Sequence, residues 1–306
     1  MKRVAAFDCG TNSLRLLITD LDPADGTSTE LVREMRIVRL GQGVDRTGRI
    51  SEASMERVFA ALDEYVEMVH EHDVDAIRFC ATSAARDAEN SAEFMAGVKE
   101  RVGVEPEVLA GDEEARVSYA GATRSLGAGL AGPFLLLDIG GGSTELILGD
   151  ADGTVQAAHS LDIGSVRLTE RHLHADPPTQ EQVDAVIADI DAALDGCRVD
   201  PSKANAVIGV AGTITTVAAG VLGLAAYDRQ LIHHAVLDKS AVEGTVNALL
   251  AMTVEERKAL GYMHPGRADV IAAGGLILAR ILRRTAVQSL LVSENDILDG
   301  IAWSMA

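Results

Sequence analysis

Apolar and polar positions change their period along the chain, and each change marks an element. VAAFDC and LRLLITDL, with the stretch from about Thr29 to Leu40, predict three consecutive strands joined by turns. Beyond Ser51, apolar residues fall at Met55, Val58, Phe59, Leu62, Val66 and Val69, a helical spacing with Ser51 as N-cap. AIRFCAT predicts a strand, Ser91 to Val102 a helix and Val104 to Leu109 another strand. Asp112 is read as the cap of a helix running towards Leu126, and the Gly/Ala-rich joint GAGLAG follows.

The second half opens the same way. PFLLLD, ELILGD and TVQAAHSL predict three strands, with a turn at Asp152-Gly153. Helices are expected around 164–173 and 179–195, then the strand AVIGVA and a Gly-Thr-rich turn. From about 213 the pattern is largely helical, closing with the strand SLLVS and a helix from about Asn295. Two halves that each begin with three strands imply a duplicated α/β fold. We place the boundary, and a hinge, near residues 124–130, giving domains 1–126 and 127–306. The last helix, about 294–306, is the segment that would pack back on the first half and make that domain discontinuous.

The duplication is also written in the residues. FDCGTNSLRLLI (7–18) and LDIGGGSTELIL (137–148) align without a gap at an offset of 130, pairing Asp8 with Asp138, Gly10 with Gly140 and Ser13 with Ser143. Each copy is a strand ending in an acid, a tight small-residue turn and a second apolar strand. Such a turn gathers backbone N–H groups and hydroxyls into a concavity that suits phosphate. Two copies suggest two half-sites facing each other across a cleft.

A length of 306 residues fits two domains, and 47% hydrophobic with 24% charged residues is a globular composition. No apolar run approaches the roughly 18–20 residues of a membrane span, and the N-terminus does not read as a signal peptide. Cys9, Cys80 and Cys197 form no disulfide framework, which points to a reducing cytoplasm. The net charge of −19 argues against general nucleic-acid binding. A small polyanion is still admissible where arginines reverse the local field. Candidate clusters are Arg33, Arg36 and Arg39; Arg46 and Arg49; and Arg280, Arg283 and Arg284, each of which is equally a solvated face.

In the second turn, Gly140, Gly141 and Gly142 let the backbone approach a phosphate, and Ser143 and Thr144 add hydroxyl donors. Asp138 and Glu145 bracket the turn and are candidate Mg²⁺ ligands, directly or through water. The first turn offers Gly10, Thr11, Asn12 and Ser13, with Asp8 a further candidate ligand facing the cleft. A third small-residue turn, Gly209 to Thr213, opens a helix and is secondary. His172 and His174 do not share a helix face, so a metal pair is not expected. His233-His234 read as structural or surface residues.

AFDCGTNSLRLLI, ATSAARDAEN, AGDEEARVSYAGA, LDIGGGSTELILG, SLDIGSVRLTE and PGRADVIAAGGLIL together resemble the Ppx/GppA family, in that family's order and over essentially the whole chain. The resemblance implies a duplicated actin-like fold, shared with sugar kinases and chaperone ATPases and built of ribonuclease H-like halves, with two domains flanking a cleft. It implies an exopolyphosphatase or a guanosine pentaphosphate phosphohydrolase. It aligns Glu114 with the family's catalytic glutamate, which orients or deprotonates the attacking water, and Arg86 with its active-site arginine. On the residues alone, Glu113 and Glu114 are also first-turn acids that favour the helix dipole, and Arg86 is also a partner for Asp87 or Glu89. Arg167 is open between a phosphate contact and a helix cap. The sequence departs from the family pattern at Thr11, Ala110 and Ala211, where relatives have Ser, Ser and Gly.

The leading expectation is therefore an Mg²⁺-dependent exopolyphosphatase, with Mn²⁺ as the alternative ion, acting on inorganic polyphosphate in the cytoplasm. Hydrolysis of guanosine pentaphosphate (pppGpp), the stringent-response alarmone, is the alternative within the family. An actin-fold kinase and a non-catalytic polyphosphate or alarmone sensor are rivals of other classes. A homodimer is admissible, and no membrane or general nucleic-acid partner is expected.

Overall fold

The computed structural model describes residues 1–124, 126, 132–150 and 152–306. The first half contains β1 (Lys2–Cys9), β2 (Ser13–Asp22), β3 (Thr27–Ile37), α1 (Val44–Thr47), α2 (Glu52–Glu71) and β4 (Ala76–Ala81). It continues with α3 (Ser83–Asp87), α4 (Ser91–Val102), β5 (Glu107–Val108) and α5 (Gly111–Thr123). There follow β6 (Phe134–Ile139), β7 (Thr144–Gly149), β8 (Val155–Leu161), α6 (Ser165–His172), α7 (Gln180–Asp195), β9 (Ala206–Val210) and α8 (Ala211–Val221). The chain closes with α9 (Arg229–Ile232), β10 (Val236–Asp238), α10 (Lys239–Ala251), α11 (Val254–Lys258), α12 (Ile271–Arg283), β11 (Ser289–Val292) and α13 (Ile297–Trp303).

Contacts divide these elements into two compact units, Met1–Gly121 with Ile297–Ala306, and Ala122–Asp296. Most of the expected boundary and hinge near 124–130 lies outside the described residues. The first unit has a sheet in the order β3-β2-β1-β4-β5. The second has β10-β11-β9-β6-β7-β8, which read from its far end is the same arrangement with β10 added at the edge. In both, the first three strands form an antiparallel meander and the next two run parallel to its first strand. This is the duplicated α/β, actin-like architecture the sequence implies.

Local chemistry fixes the elements that carry the site. Ser51 caps α2 by accepting from the Ser54 N–H, and Met55, Val58, Leu62 and Val69 fall on the buried face of the helix. Thr179 and Gln182 form a capping box on α7. The strand expected at Val104–Leu109 shrinks to two exposed residues, because Pro106 has no N–H for the ladder and the strand lies at the sheet edge. The cap expected at Asp112 is also corrected. The Ala110 carbonyl accepts from the Glu113 and Glu114 N–H groups at 2.9 and 2.8 Å, so Asp112 sits inside the first turn.

In the first unit, one face of the sheet is covered by α2 and α4 around Phe7, Leu62, Phe79 and Phe94. The other face carries α13, whose Ile297, Leu298 and Ile301 meet Val4, Ala6, Leu17 and Leu21. Gly300 permits this docking, since a Cβ there would lie 2.0 Å from the Val117 carbonyl oxygen of α5. Arg33 on β3 reaches Asp299 at 2.6 Å, and Arg78 on β4 donates to the Ser304 hydroxyl at 2.7 Å. The second unit has one continuous core, through which α12 runs nearly completely buried.

Candidate active site

The first turn reverses the chain between β1 and β2, and the Gly10 N–H donates to the Ser13 carbonyl at 2.9 Å. Alternation along β1 puts Cys9 in the core, where burial pushes its thiol up, and Asp8 on the opposite face. Directly across the antiparallel register from Asp8 stands Arg15. Its Nη2 and Nε donate to Asp8 Oδ2 at 2.6 and 2.9 Å, so the carboxylate is neutralised within its own hairpin. The Gly41 N–H donates to the Thr11 carbonyl at 2.8 Å, and the Val38 and Arg39 N–H groups donate to the Asn12 carbonyl at 2.9 Å. Thr11 Oγ1 is buried with no hydrogen-bond partner, a hydroxyl that a phosphate oxygen would satisfy.

β4 and β5 are parallel neighbours, so α3 and α5, which follow them, start side by side at the C-terminal edge of the sheet. That edge is where open α/β sheets bind ligands. Arg86 Nη1 donates to Glu114 Oε2 at 2.9 Å and to the Leu109 carbonyl at 2.7 Å. Glu114 is 7% exposed. The two residues to which the resemblance gives catalytic roles are thus in contact. Glu113, by contrast, is exposed and lies 3.5 Å from Arg78 on the flank of the sheet.

The second turn repeats the closure of the first, with the Gly140 N–H donating to the Ser143 carbonyl at 3.0 Å. Asp138 lies directly across the register from Glu145, the position that Arg15 takes in the first unit. Both acids are buried, and the Ser160 hydroxyl donates to Glu145 Oε1 at 2.7 Å. Like charges directly opposite on a sheet are destabilising by themselves. Two buried carboxylates facing each other across the ladder fit an oxygen-seeking divalent cation such as Mg²⁺, which needs one or two carboxylates beside water and phosphate oxygens. No group of three or more His, Cys, Asp or Glu side chains able to hold a metal occurs among the described residues. Asp138 and Glu145 stand as a carboxylate pair within the second unit, and Asp8 stands in the first unit beside Arg15.

The Thr144 hydroxyl is engaged elsewhere. It donates to the Ile163 carbonyl at 2.7 Å, and the residue is fully buried. As the first residue of β7 it points to the face opposite Glu145, so it braces the turn from behind instead of offering a donor at its mouth. The brace continues through the start of α6. Gly164 lies so close to the turn that a Cβ there would meet the Gly141 carbonyl oxygen at 2.4 Å. Arg167 Nε donates to the Gly142 carbonyl at 2.7 Å. Arg15, Gly164 and Ser160 were not singled out by sequence reasoning, although the mismatch of Arg15 with Glu145 is visible in the aligned repeat.

At the third turn, Ala211 adopts a left-handed φ of 68°, a conformation that favours glycine. Arg267, from the PGR motif, lies over Gly212, where a Cβ would meet its Cζ at 2.4 Å. Burial and then the Arg267 charge hold His264 below its ordinary value. Nearby, Tyr227 donates to Glu294 at 2.5 Å. His172 binds Asp189 at 2.8 Å, and the His233 and His234 rings stack with centroids 3.8 Å apart.

The arginine clusters are laced with acids. Arg33 binds Glu30 and Asp299, and Arg36 binds Glu34. Arg280 and Arg284 bind Asp191, Arg284 also binds Asp195, and Arg283 binds Glu243. Arg49 stands 3.9 Å from Glu89. No helix is long and apolar enough to cross a membrane among the described residues.

Known proteins resemble this chain along its whole length. The chain is 45% identical to exopolyphosphatase 2 of Mycobacterium tuberculosis, over all of this chain and 99% of that protein. The crystal structure of an exopolyphosphatase-like protein superposes with a TM-score of 0.95 at 41% identity, covering 99% of this chain and 98% of the other. An exopolyphosphatase from Cytophaga hutchinsonii superposes with a TM-score of 0.89 at 27% identity, covering 99% and 97%. A model of the Ppx/GppA phosphatase family matches residues 21–306, and the chain belongs to that family.

Proposed function

We propose that the chain is an exopolyphosphatase that removes the terminal phosphate of inorganic polyphosphate. The observation that carries the reading is the Arg86–Glu114 contact at 2.9 Å, in a chain similar over its full length to a protein named exopolyphosphatase 2. Arg86 holds one oxygen of the Glu114 carboxylate and so fixes its rotamer. A carboxylate held this way aligns a water and accepts its proton as the water oxygen attacks the terminal phosphorus. The bridging P–O bond breaks, giving orthophosphate and a chain shorter by one unit. Little covalent chemistry falls to the protein; positioning and charge stabilisation supply most of the acceleration.

The turns Gly10-Thr11-Asn12-Ser13 and Gly140-Gly141-Gly142-Ser143 offer backbone donors for phosphate oxygens, and the unpartnered Thr11 hydroxyl supports this use of the first. Asp138 and Glu145 would hold Mg²⁺, or Mn²⁺ in its place, with Asp8 limited by its bond to Arg15. The ion, when bound, would neutralise charge on the phosphoryl oxygens. The unpaired cysteines fit a cytoplasmic protein.

Phosphate release with Mg²⁺ from long polyphosphate, guanosine pentaphosphate and ATP tests the assignment. Release from polyphosphate at the highest kcat/KM is the expected result. Release from guanosine pentaphosphate alone would move the chain to alarmone hydrolysis, and release from none would leave a binding role.

A further inference from the structure

Three carbonyl groups of the second turn are held from one side. The Ser165 N–H donates to the Gly140 carbonyl at 3.0 Å, and the Val166 and Arg167 N–H groups donate to the Gly141 carbonyl at 2.8 and 3.1 Å. Arg167 Nε completes the set at the Gly142 carbonyl, 2.7 Å away. In a planar trans peptide, the carbonyl of one residue and the N–H of the next point in opposite directions. Holding these three carbonyls towards α6 therefore turns the N–H groups of Gly141, Gly142 and Ser143 away from it as a row. The first-turn N–H groups of α6 are consumed inside the protein, and the anion-binding capacity of that end passes to the turn.

The first unit solves the same problem differently. There the two backbone N–H groups of Val38 and Arg39 hold the Asn12 carbonyl. The offset of 130 places Asn12 opposite Gly142, so one arginine side chain does in the second unit what the main chain does in the first. The difference matters because of the residues involved. A peptide preceded by Gly141 and Gly142 has no side chain to oppose a flip. Once released, the Gly142–Ser143 peptide would be free to aim its carbonyl, instead of an N–H, at a phosphate oxygen.

We propose that Arg167 is a positioning residue: by holding the Gly142 carbonyl it locks the Gly142–Ser143 peptide in the orientation that donates to phosphate. This rests on the reading that the turn binds phosphate. Arg167 acts through the turn, and it does so through Nε rather than through its net charge.

That distinction can be tested because the Nε2 of glutamine lies the same number of bonds from Cα as the Nε of arginine. Arg167→Gln keeps a donor at that position without the charge. Arg167→Met places a methyl group there, and Arg167→Lys keeps a charge with its nitrogen one bond further out. The readout is the Kd for inorganic phosphate with Mg²⁺, beside KM and kcat for polyphosphate and the melting temperature. Arg167→Gln should stay within about threefold of the wild type, while Arg167→Met should weaken phosphate on the order of tenfold, about 1.4 kcal/mol. The melting temperature should be unchanged in both. Should the Met variant not fold, Gln outperforming Lys is the same result. Gln and Met equally impaired, Lys matching the wild type while Gln does not, or Met indistinguishable from the wild type would each overturn the proposal. A wild type that binds phosphate yet releases none from polyphosphate would overturn the exopolyphosphatase reading alone, and one that binds no phosphate would overturn both.

Discussion

Replacing Gly164 by alanine would drive a methyl group into the backbone of the glycine turn. The added Cβ would lie 2.4 Å from the Gly141 carbonyl oxygen, 2.5 Å from its carbon and 2.6 Å from the Gly142 carbon. Ordinary contacts between such atoms begin at about 3.5 Å, so α6 and the turn must separate by about 1 Å. No rotamer can absorb the clash, because both partners are main chain. Backbone conformation is not at issue, since φ −154° and ψ 164° at Gly164 are extended and open to alanine. Overpacking of this kind costs about 1–3 kcal/mol of stability. The larger effect falls on chemistry, where a misplacement of about 1 Å lowers rate by about 100-fold. Steady-state phosphate release and a thermal melt measure the two effects, with Gly196→Ala as control, because a Cβ there would meet only Ala193 and Ala192 carbonyl oxygens at 3.7 and 3.8 Å. A Gly164→Ala enzyme with kcat/KM within about threefold of the wild type, well short of the loss expected from such a shift, would refute the reasoning.

Three further outcomes are expected. Asp138→Asn and Glu145→Gln should each abolish stabilisation by Mg²⁺ in a thermal melt, while raising metal-free stability by removing one of two opposed charges; unchanged Mg²⁺ stabilisation in both would remove the pair from the ion site. Glu107 is held below its ordinary carboxylate value chiefly by its hydrogen bond from Arg78. Its contribution is complete above the unfolded value and lost as pH falls through the lower folded one, so the stability gap between wild type and Glu107→Gln should close on acidification; a gap constant down to pH about 3 would contradict this. Burial pushes the Cys80 thiol up to about 12 and raises Cys9 as well, so neither should react with iodoacetamide in the native protein at neutral pH; labelling of Cys80 before unfolding would show that its strand opens.

Much of this was legible because the repeat is local. A strand ending in acid, a small-residue turn and a second strand are contiguous in sequence, so the hairpins follow from pattern alone, whereas the parallel pairing of β1 with β4 joins segments about 70 residues apart. The Arg86–Glu114 contact was not legible without the resemblance, because its partners are 28 residues apart and meet only where β4 and β5 run parallel. Thr144 reads as a donor by composition, yet the pleat sends it to the rear face. Asp8 and Asp138 occupy equivalent positions, and what separates them is the residue across the ladder, Arg15 in one and Glu145 in the other. The acidic partners of the arginine clusters, such as Asp191 for Arg280 and Asp299 for Arg33, lie far along the chain and set those cations apart from an open basic face.

The central claim, that Glu114 aligns water for attack on the terminal phosphate, is tested most directly by Glu114→Gln. The amide keeps the size and one hydrogen-bond acceptor of the side chain but cannot take a proton. Its kcat for polyphosphate should fall by about 100-fold or more while the Kd for polyphosphate stays within about threefold of the wild type. A Glu114→Gln enzyme with near-normal kcat would contradict the account, whatever its affinity.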